Sequence, residues 1–466
     1  MKQAGRRAKR GPSAVRHAVL MAAAAALLTG GRAWGQSPAE AAGPRSVRGL
    51  TFRDAVAVAL RHNPQLAGAR AEVRRIEGEA LRPLQEILPT LQLQQQWLRS
   101  DDPSTVLGLK MKQGAFSAAD LSPAGIASPV PFSTFGGQVA LQVPLLNVDA
   151  WLGRGQGRTG VRAARLGVER GEQELTFAVL RAYFAVPLAA ERIGAVRDAL
   201  EVAARAVAQA EALERQRLVA PMDVLQARSR LAAMRAELAN ALADSVQAAA
   251  GLERVLGEPV GSVGGTDPLP DTVAVPTLEE ALAGLASRPD IAARAEAVAA
   301  ARLGVRRVNA GWLPKLNGFA TLDFYDQRLL GSQRSFLTAG AVLSWTLFDG
   351  MHLIAEGRGA RAASEHAEAD RDAALLEARA EVRTAHARHE AARQGRAFAQ
   401  EAYDLAREAR AIGETRYRNA LSSMTELLAA HAAETAAATR LSAARYDFVV
   451  TAGACRLAAG ISVMEE

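Results

Sequence analysis

"EILPTLQL", Glu86 to Leu93, decides how this chain is read, because "GWLPKLNG", Gly311 to Gly318, repeats its plan 225 residues later. In each, a Leu-Pro pair (Leu88-Pro89, Leu313-Pro314) ends a helical pattern, since the residue before proline is pushed to extended geometry. An alternating pattern then begins. Each of these prolines lies 25 residues past an earlier one, Pro64 or Pro289. The earlier prolines suit the first turn of a helix, where a missing N–H costs nothing. "LTFRDAVAVALRHNPQLAGARAEVRR" and "PTLEEALAGLASRPDIAARAEAVAAA" are therefore two copies of one unit: a short amphipathic helix, an X-Pro break, and a second helix.

After each Leu-Pro the period changes from 3.6 to 2. Leu91, Leu93 and Trp97 point one way, and Gln92, Gln94 and Gln96 the other. Phe135, Val139, Leu141 and Val143 share a face, opposed by Gln138 and Gln142. In the second copy Leu316, Ala320, Leu322 and Phe324 oppose Asn317, Thr321 and Asp323. Leu337, Ala339, Ala341, Leu343, Trp345 and Leu347 oppose Thr338, Gly340, Ser344 and Thr346. Four strands of about ten residues, greasy on one face and polar on the other, have the length and alternation of outer-membrane barrel strands. A half-buried sheet of an ordinary domain has the same alternation. The first hairpin carries a long Pro-, Ser- and Asp-rich loop, Arg99 to Thr134; the second a short one, Asp326 to Ser335.

A helix of unusual length follows each hairpin, from about Asp149 to Leu218 with Pro187 inside, and from about Asp349 to Asn419 with no proline. At ~1.5 Å per residue each reaches roughly 100 Å, more than a globular domain uses. Val179, Val186, Ile193, Leu200 and Val207 fall on heptad position a, and Leu175, Ala182, Ala189, Val196, Ala203 and Ala210 on d, a coiled-coil seam. The second copy has Ala378, Ala385, Ala392, Ala399 and Ala406 at d, and a further stripe of Phe398, Leu405 and Ile412 on another flank. Two seams imply neighbours on both sides. Each long helix returns through a partner, Met222 to Leu256 or Met424 to about Gly460, turning at "LVAPMD" (Leu218, Val219, Ala220, Pro221, Met222, Asp223) and at "NALSSMTE" (Asn419 to Glu426).

The ends set the compartment. Residues 1–35 read as a secretory signal peptide: a basic start, an apolar stretch Ala18 to Leu28 too short to span a bilayer, and "AWG" before Gln36. They carry seven of the 56 basic residues and no acid, leaving 49 basic against 49 acidic residues. The basic balance thus belongs to the targeting segment and gives no argument for nucleic acid. Gln36 stands where an N-terminal lipid anchor would need Cys. The one cysteine, Cys455, cannot form an internal disulfide and reads as a small buried hydrophobe. The domain plan is 1–35 signal peptide; 36–256 first repeat, with strand hairpin 90–145 and helical hairpin 149–256; 257–276 Gly/Pro-rich linker; and 277–466 second repeat, with strand hairpin 315–348 and helical hairpin 349–460.

Signal peptide, doubled helix–strand–strand–helix–helix plan, "VPLLN" and "WTLFDG" after the second strands, and the ending "ETAAATRLSAARYDFVVTAGACRLAAG" together resemble the TolC family of outer-membrane efflux proteins. The resemblance covers essentially all of the chain after residue 35. It implies an α+β membrane protein with an internal two-fold repeat. Four amphipathic strands per protomer contribute to a trimeric 12-stranded β-barrel, and long coiled-coil helices form a periplasmic α-helical tunnel. It implies a homotrimer in outer-membrane lipid working with a periplasmic adaptor (membrane fusion protein) and an inner-membrane pump, in an efflux or type I secretion system. The barrel follows on physical grounds too: four strands leave two open edges, and lipid satisfies no edge N–H or C=O group.

The resemblance places the periplasmic aperture and adaptor docking at the helical tips: Leu218, Val219, Ala220, Pro221, Met222, Asp223, Tyr417, Leu421, Ser422, Ser423 and Glu426. Many family members carry Gly just before this turn; Arg217 and Ala420 stand here. Lumen-facing positions are Gln92, Gln94, Gln96, Gln138, Gln142, Asn317, Thr321, Asp323, Thr338 and Ser344. Asp223 and Glu426 either ring the aperture or cap the returning helices through the helix dipole; both roles are compatible. Tyr417 is placed to bond Asp223 across the tips. "GQGRTG", Gly155 to Gly160, fits a dinucleotide loop but lacks the second strand and the acid that such a site needs; with Gly357 and Gly359 it reads as tight helix packing. His386 and His389 read as a structural pair or a metal grip. Passive conduction needs no catalytic residue, cofactor or metal. A secreted periplasmic coiled-coil structural or adaptor-like protein is the rival reading, and an exported enzyme lacks any constellation to support it.

Overall fold

The structure, a computed structural model, describes residues 48–217, 219–259, 264–265, 267–419 and 421–463. The predicted signal peptide, Leu218 and Ala420 lie outside these residues. Described strands are β1 (Arg48–Leu50), β2 (Thr90–Ser100), β3 (Phe132–Leu146), β4 (Gly264–Gly265), β5 (Lys315–Asp326) and β6 (Arg334–Ser344). The helices are α1 (Phe52–His62), α2 (Pro64–Glu79), α3 (Pro103–Gln113), α4 (Pro123–Ala127), α5 (Val148–Arg215), α6 (Pro221–Leu256), α7 (Leu278–Ala283), α8 (Pro289–Ala310), α9 (His352–Arg418) and α10 (Met424–Ala458).

Pro64 and Pro289 each occupy the first turn of a helix, with Asn63 Oδ1 capping α2 through the N–H groups of Gln65 and Leu66. Pro187 sits inside α5 without ending it. The sheet runs β2-β3-β5-β6, antiparallel throughout. β6 stops at Ser344, three residues short of the predicted Leu347. Trp345 instead donates its indole N–H to the carbonyl of Trp312 at 3.1 Å.

The long helices pair as hairpins, α5 with α6 and α9 with α10, and α5 also meets α10. The d positions Ala189, Val196, Ala203 and Ala210 are buried, and so are Ala378 and Val382 on α9. Phe398, Leu405 and Ile412 stay exposed within one chain. The main core lies midway along α5: Val179, Leu180, Tyr183 and Phe184 pack with Leu252, Leu256, Phe448 and Val449, and Phe52 stacks on Phe184 with centroids 5.8 Å apart. Its counterpart in the second repeat is built from Ala281, Leu285, Ile291, Ala374, Ala378 and Val382.

Three buried arginines between these cores were not anticipated. Arg288 reaches Asp290 (2.8 Å), Glu381 (2.7 Å) and the Ala458 carbonyl (3.0 Å). Arg170 donates to Leu457 O at 2.8 Å, and Arg456 to Ala274 O at 2.8 Å. Together they fasten the end of α10. Cys455 is fully buried beside them, and burial pushes its thiol up to about 11.

The linker contains a strand that the sequence did not announce: β4 pairs in parallel with β1. The glycine expectation holds in one copy. A Cβ on Gly157 would lie 3.1 Å from Ala80 and one on Gly155 3.6 Å from Leu303, while Gly359 faces open space. His386 meets the carbonyls of Val382 and Pro276, and His389 contacts Thr451 Oγ1 and stacks on Phe448; Glu390 is taken by Arg393. Among the described residues no cluster of three metal-ligating side chains forms.

Candidate functional site

Directly paired residues of an antiparallel sheet share a face. The register lines up Leu91–Leu141–Ala320–Ala339 and Leu93–Val139–Leu322–Leu337 on one side. Leu91, Leu93, Trp97, Leu337 and Leu343 are all more than half exposed there. On the other side run Gln92–Ala140–Thr321–Thr338 and Gln94–Gln138–Asp323–Phe336. Gln138 donates to Asp323 at 2.8 Å. Gln96, Gln142, Asn317 and Ser344 fall on this face as well, so the structure brings all ten predicted lining residues to one side. It adds Phe319, Phe336, Val342 and Tyr325, which a search for polar alternation passes over.

Aromatic rings cover the strand glycines on both faces. Phe319 lies over its partner Gly340, Tyr325 over Gly136, and Phe324 over Gly137. A ring over a glycine restores the side-chain cover that a strand needs.

At the sheet's helical end, β3 shifts register between Pro144 and Leu146. Proline has no N–H for the ladder, so pairing breaks and the chain turns into α5. Asn147 Nδ2 donates to the Glu86 carbonyl at 3.1 Å, and Lys315 pairs with Asp149.

The hairpin tips bring the remaining predicted residues together. Asp223 Oδ2 accepts from the Ala220 N–H at 3.1 Å, which makes it a cap for α6. Ser423 Oγ accepts from the Glu426 N–H at 3.2 Å and caps α10. Thr425 Oγ1 donates to Gln226 Oε1 at 3.4 Å and joins the two hairpins. Tyr417 lies between them; burial, and secondarily the Asp223 carboxylate, hold its phenol above the usual value. Among the described residues no hydrogen bond links Tyr417 to Asp223, so the expected latch is unformed in this conformation. Met222, Leu225 and Leu421 stand exposed at the tips, and Val219 is half-buried. Arg217 has φ 57°, a left-handed backbone that favours Gly.

One charged cluster above the tips escaped the sequence reading. Arg410 pairs with Glu414 (2.8 Å) and Glu434 (2.6 Å), and His431 Nε2 faces Glu414 at 3.3 Å. Burial lowers the His431 pKa, and the raising effect of Glu414 does not overcome it. Arg192 similarly ties α5 to Glu237 and Asp244 of α6. Only a heptad-by-heptad alignment of facing helices would have paired these charges in advance. A 670 Å³ groove runs between α5, α6 and α10, lined by alanines and by charged side chains that include Arg192, Arg230, Glu237 and Asp244.

No described helix is long and apolar enough to cross a membrane. A family model described as "Outer membrane efflux protein" matches residues 55–258 and 283–460, leaving out the linker. The chain is similar in structure to the CmeC outer membrane channel of Campylobacter jejuni, at 17% identity and TM-score 0.72, covering 89% of this chain and 87% of that one. It is similar to the outer membrane protein VceC of Vibrio cholerae, at 19% and 0.71, covering 88% and 96%. It is also similar to the open-state MtrE outer membrane channel of Neisseria gonorrhoeae, at 16% and 0.72, covering 89% and 89%. No curated protein sequence matches. The structures establish the fold, and the family model spans most of the chain: the protein belongs to the outer membrane efflux protein family.

Proposed function

We propose that three copies of this chain close one twelve-stranded barrel and one helical tunnel. The assembly would conduct cargo passively from an inner-membrane pump, through a periplasmic adaptor, to the cell surface. The observation that carries this reading is the sheet itself. It has a continuous greasy face of exposed leucines, a polar face, and two outer strands, β2 and β6, with no partner on their far sides among the described residues. Such a sheet is stable in lipid only when further strands satisfy its edges. The rival reading, a pore-free periplasmic coiled coil, leaves this greasy face in water.

As an outer-membrane efflux protein the chain is a transport component and not an enzyme. The exposed stripe of Phe398, Leu405 and Ile412 is the seam for a neighbouring protomer. The polar face, from Gln92 to Ser344, lines the lumen; the tips, from Val219 to Glu426, form the aperture. Asp223 spends one oxygen on its own helix cap and keeps the other for the opening. Exposed Met222, Leu225 and Leu421 give the adaptor apolar knuckles to dock on.

Reconstitution tests the reading. Purified protein in planar bilayers should give discrete conductance steps, and unheated electrophoresis should show a trimer from the outer-membrane fraction. A soluble monomer in the periplasmic fraction would refute it.

A further inference from the structure

The long Pro-, Ser- and Asp-rich loop of the first hairpin is folded. It carries α3 and α4, and Lys110 of α3 pairs with Asp120 of the following turn. Asp120 also accepts from the N–H and hydroxyl of Ser117, and with Lys110 these bonds hold its carboxyl down to about 2. The segment is thus a built unit.

Its position is set by register. Gln96, Gly136, Tyr325 and Arg334 form one cross-strand row on the polar face, at the end of the sheet away from the long helices. The Lys112 ammonium donates to the Tyr325 hydroxyl at 3.2 Å and lies 5.2 Å from the ring centroid. Gly114, with φ 73°, abuts the Arg334 guanidinium so closely that a Cβ there would lie 2.6 Å from it. Val106, Leu109 and Gln113 of α3 are buried, as is Thr134 on β3. α3 therefore lies across the polar face of the sheet.

We propose that α3 is a second gate, closing the barrel at the cell-surface end. The inference rests on the reading above that the polar face lines the lumen of a trimer. Twelve strands spaced ~4.8 Å apart and tilted ~40° enclose a backbone cylinder roughly 24 Å across. Three helices, each about 10–12 Å wide with side chains, fill a circle of about 22 Å or more. One α3 from each protomer therefore obstructs the mouth, and cargo passes only when the segment swings aside. The contacts suit a gate better than a fixed plug. Both polar atoms of the Gln113 amide are buried without a partner among the described residues, so the closed position leaves hydrogen-bonding groups unmet that water satisfies on opening. Beside the packing of Val106 and Leu109, the polar tie to the wall among the described residues is the lysine–tyrosine contact and the Gly114–Arg334 abutment. The second hairpin has no equivalent, because its loop is closed tightly by Asp326 accepting from the N–H groups of Arg328 and Gln333.

The test uses Thr321→Cys in intact cells; the native Cys455 is fully buried. A small impermeant maleimide and a maleimide on a 5 kDa-class polymer are applied from outside. The small probe should label the site, and the polymer should label it at least about tenfold more slowly. Replacing residues 103–131 with a short Gly-Ser turn should bring the polymer rate near that of the small probe. Lys112→Ala and Tyr325→Ala, which keep the segment, should raise it partway. Equal polymer rates with and without the segment, and in the point variants, overturn the gate. A site that even the small probe never reaches refutes the lumen assignment instead, and the gate falls with it. As a second arm, a Lys112→Cys, Tyr325→Cys pair bridged by a bis-maleimide, with the bridge verified by mass spectrometry, should conduct less in planar bilayers than the same protein left unbridged. Identical conductance in the two states counts against the proposal.

Discussion

Gly137 offers the sharpest test of the sheet. It sits on the greasy face between Gln95 and Phe324, its partners across the two neighbouring strands. A Cβ placed on it would lie 2.0 Å from Cε2 and 2.3 Å from Cζ of the Phe324 ring, and 2.6 Å from Gln95 Oε1. Carbon atoms rest at ~3.5–4 Å, so the ring must retreat by about 1.5 Å from the glycine it covers. Overpacking of this kind costs about 1–3 kcal/mol. At roughly 2–4 °C per kcal/mol for a chain region of this size, Gly137→Ala should lower by several degrees the temperature at which the folded band disappears in semi-native electrophoresis. Phe324→Leu removes the clashing ring atoms, so Gly137→Ala combined with Phe324→Leu should lose less than the two single changes together. Gly160→Ala is the control: nothing lies within 4 Å of its Cβ and it is inside α5, so it should be neutral or stabilising by up to about 1 kcal/mol. A Gly137→Ala protein that melts with wild type, or a double variant whose loss equals the sum, would refute the covering-ring argument.

Other expectations follow from the same contacts. Arg217→Gly removes a side chain from a φ of 57° and should stabilise the first hairpin tip by about 1 kcal/mol, read as slower amide exchange near the end of α5. The His431 pKa is lower in the folded protein, so its contribution is complete above the unfolded value of about 6.5 and is lost as pH falls through that value toward the folded one. Melting at pH 5.5 should therefore fall relative to pH 7.5, and His431→Gln should flatten the difference. Arg288→Ala strands Asp290 and the Ala458 carbonyl and should cost about 3 kcal/mol, the low end for a buried pair because Glu381 is partly exposed; thermal denaturation measures it. Leu405→Glu puts a charge in the exposed seam and should shift the protein from trimer to monomer on a sizing column, leaving its helix content unchanged.

The parts legible in the sequence were those written in a period. Leu88-Pro89 and Leu313-Pro314 mark the change from 3.6 to 2, and the alternation from Leu91 to Leu343 then assigns the two faces. The seam from Leu175 to Ala210 is equally periodic. What stayed hidden depends on pairing across distance. Arg170 and Arg288 look like surface residues until α10 brings the Leu457 and Ala458 carbonyls to them, and Arg456 until the Ala274 carbonyl reaches it. β4 is two glycines long, and no pattern announces a strand of that length. α3 carries its own sequence signals: Asp102 accepts from the Thr105 N–H, Pro103 stands at the first turn, and Gly114 ends the helix with φ 73°. These are ordinary helix punctuation. They carry no period-2 or heptad pattern, so strand and seam periodicity do not reveal them. Phe319 and Phe336 were missed for the opposite reason, since a rule that sorts polar from apolar has no place for an aromatic on the polar side.

The distribution of bulk along α5 says where such a tunnel can move. At its middle, Tyr183 and Phe184 are buried against Phe52, Leu252 and Leu256. Aromatic rings bury about 150–250 Å² each, several kcal/mol at ~25 cal/mol per Å². Toward the tip the buried residues become Ala203, Ala206 and Ala210, and the last cluster is Ala210, Val224 and Ala227 with Val207. A buried methyl is worth less than about 1 kcal/mol. The pairs of Arg228 with Glu211 and of Arg410 with Glu434 each lie within one hairpin, so parting the hairpins leaves them intact. Between the two hairpins, the tips are joined by half-buried Tyr417 and a weak Thr425–Gln226 contact, whereas at the middle Phe448 and Val449 of α10 pack into the aromatic core. Parting the two hairpins therefore costs less at the tips than at the middle, where it would expose the aromatic core.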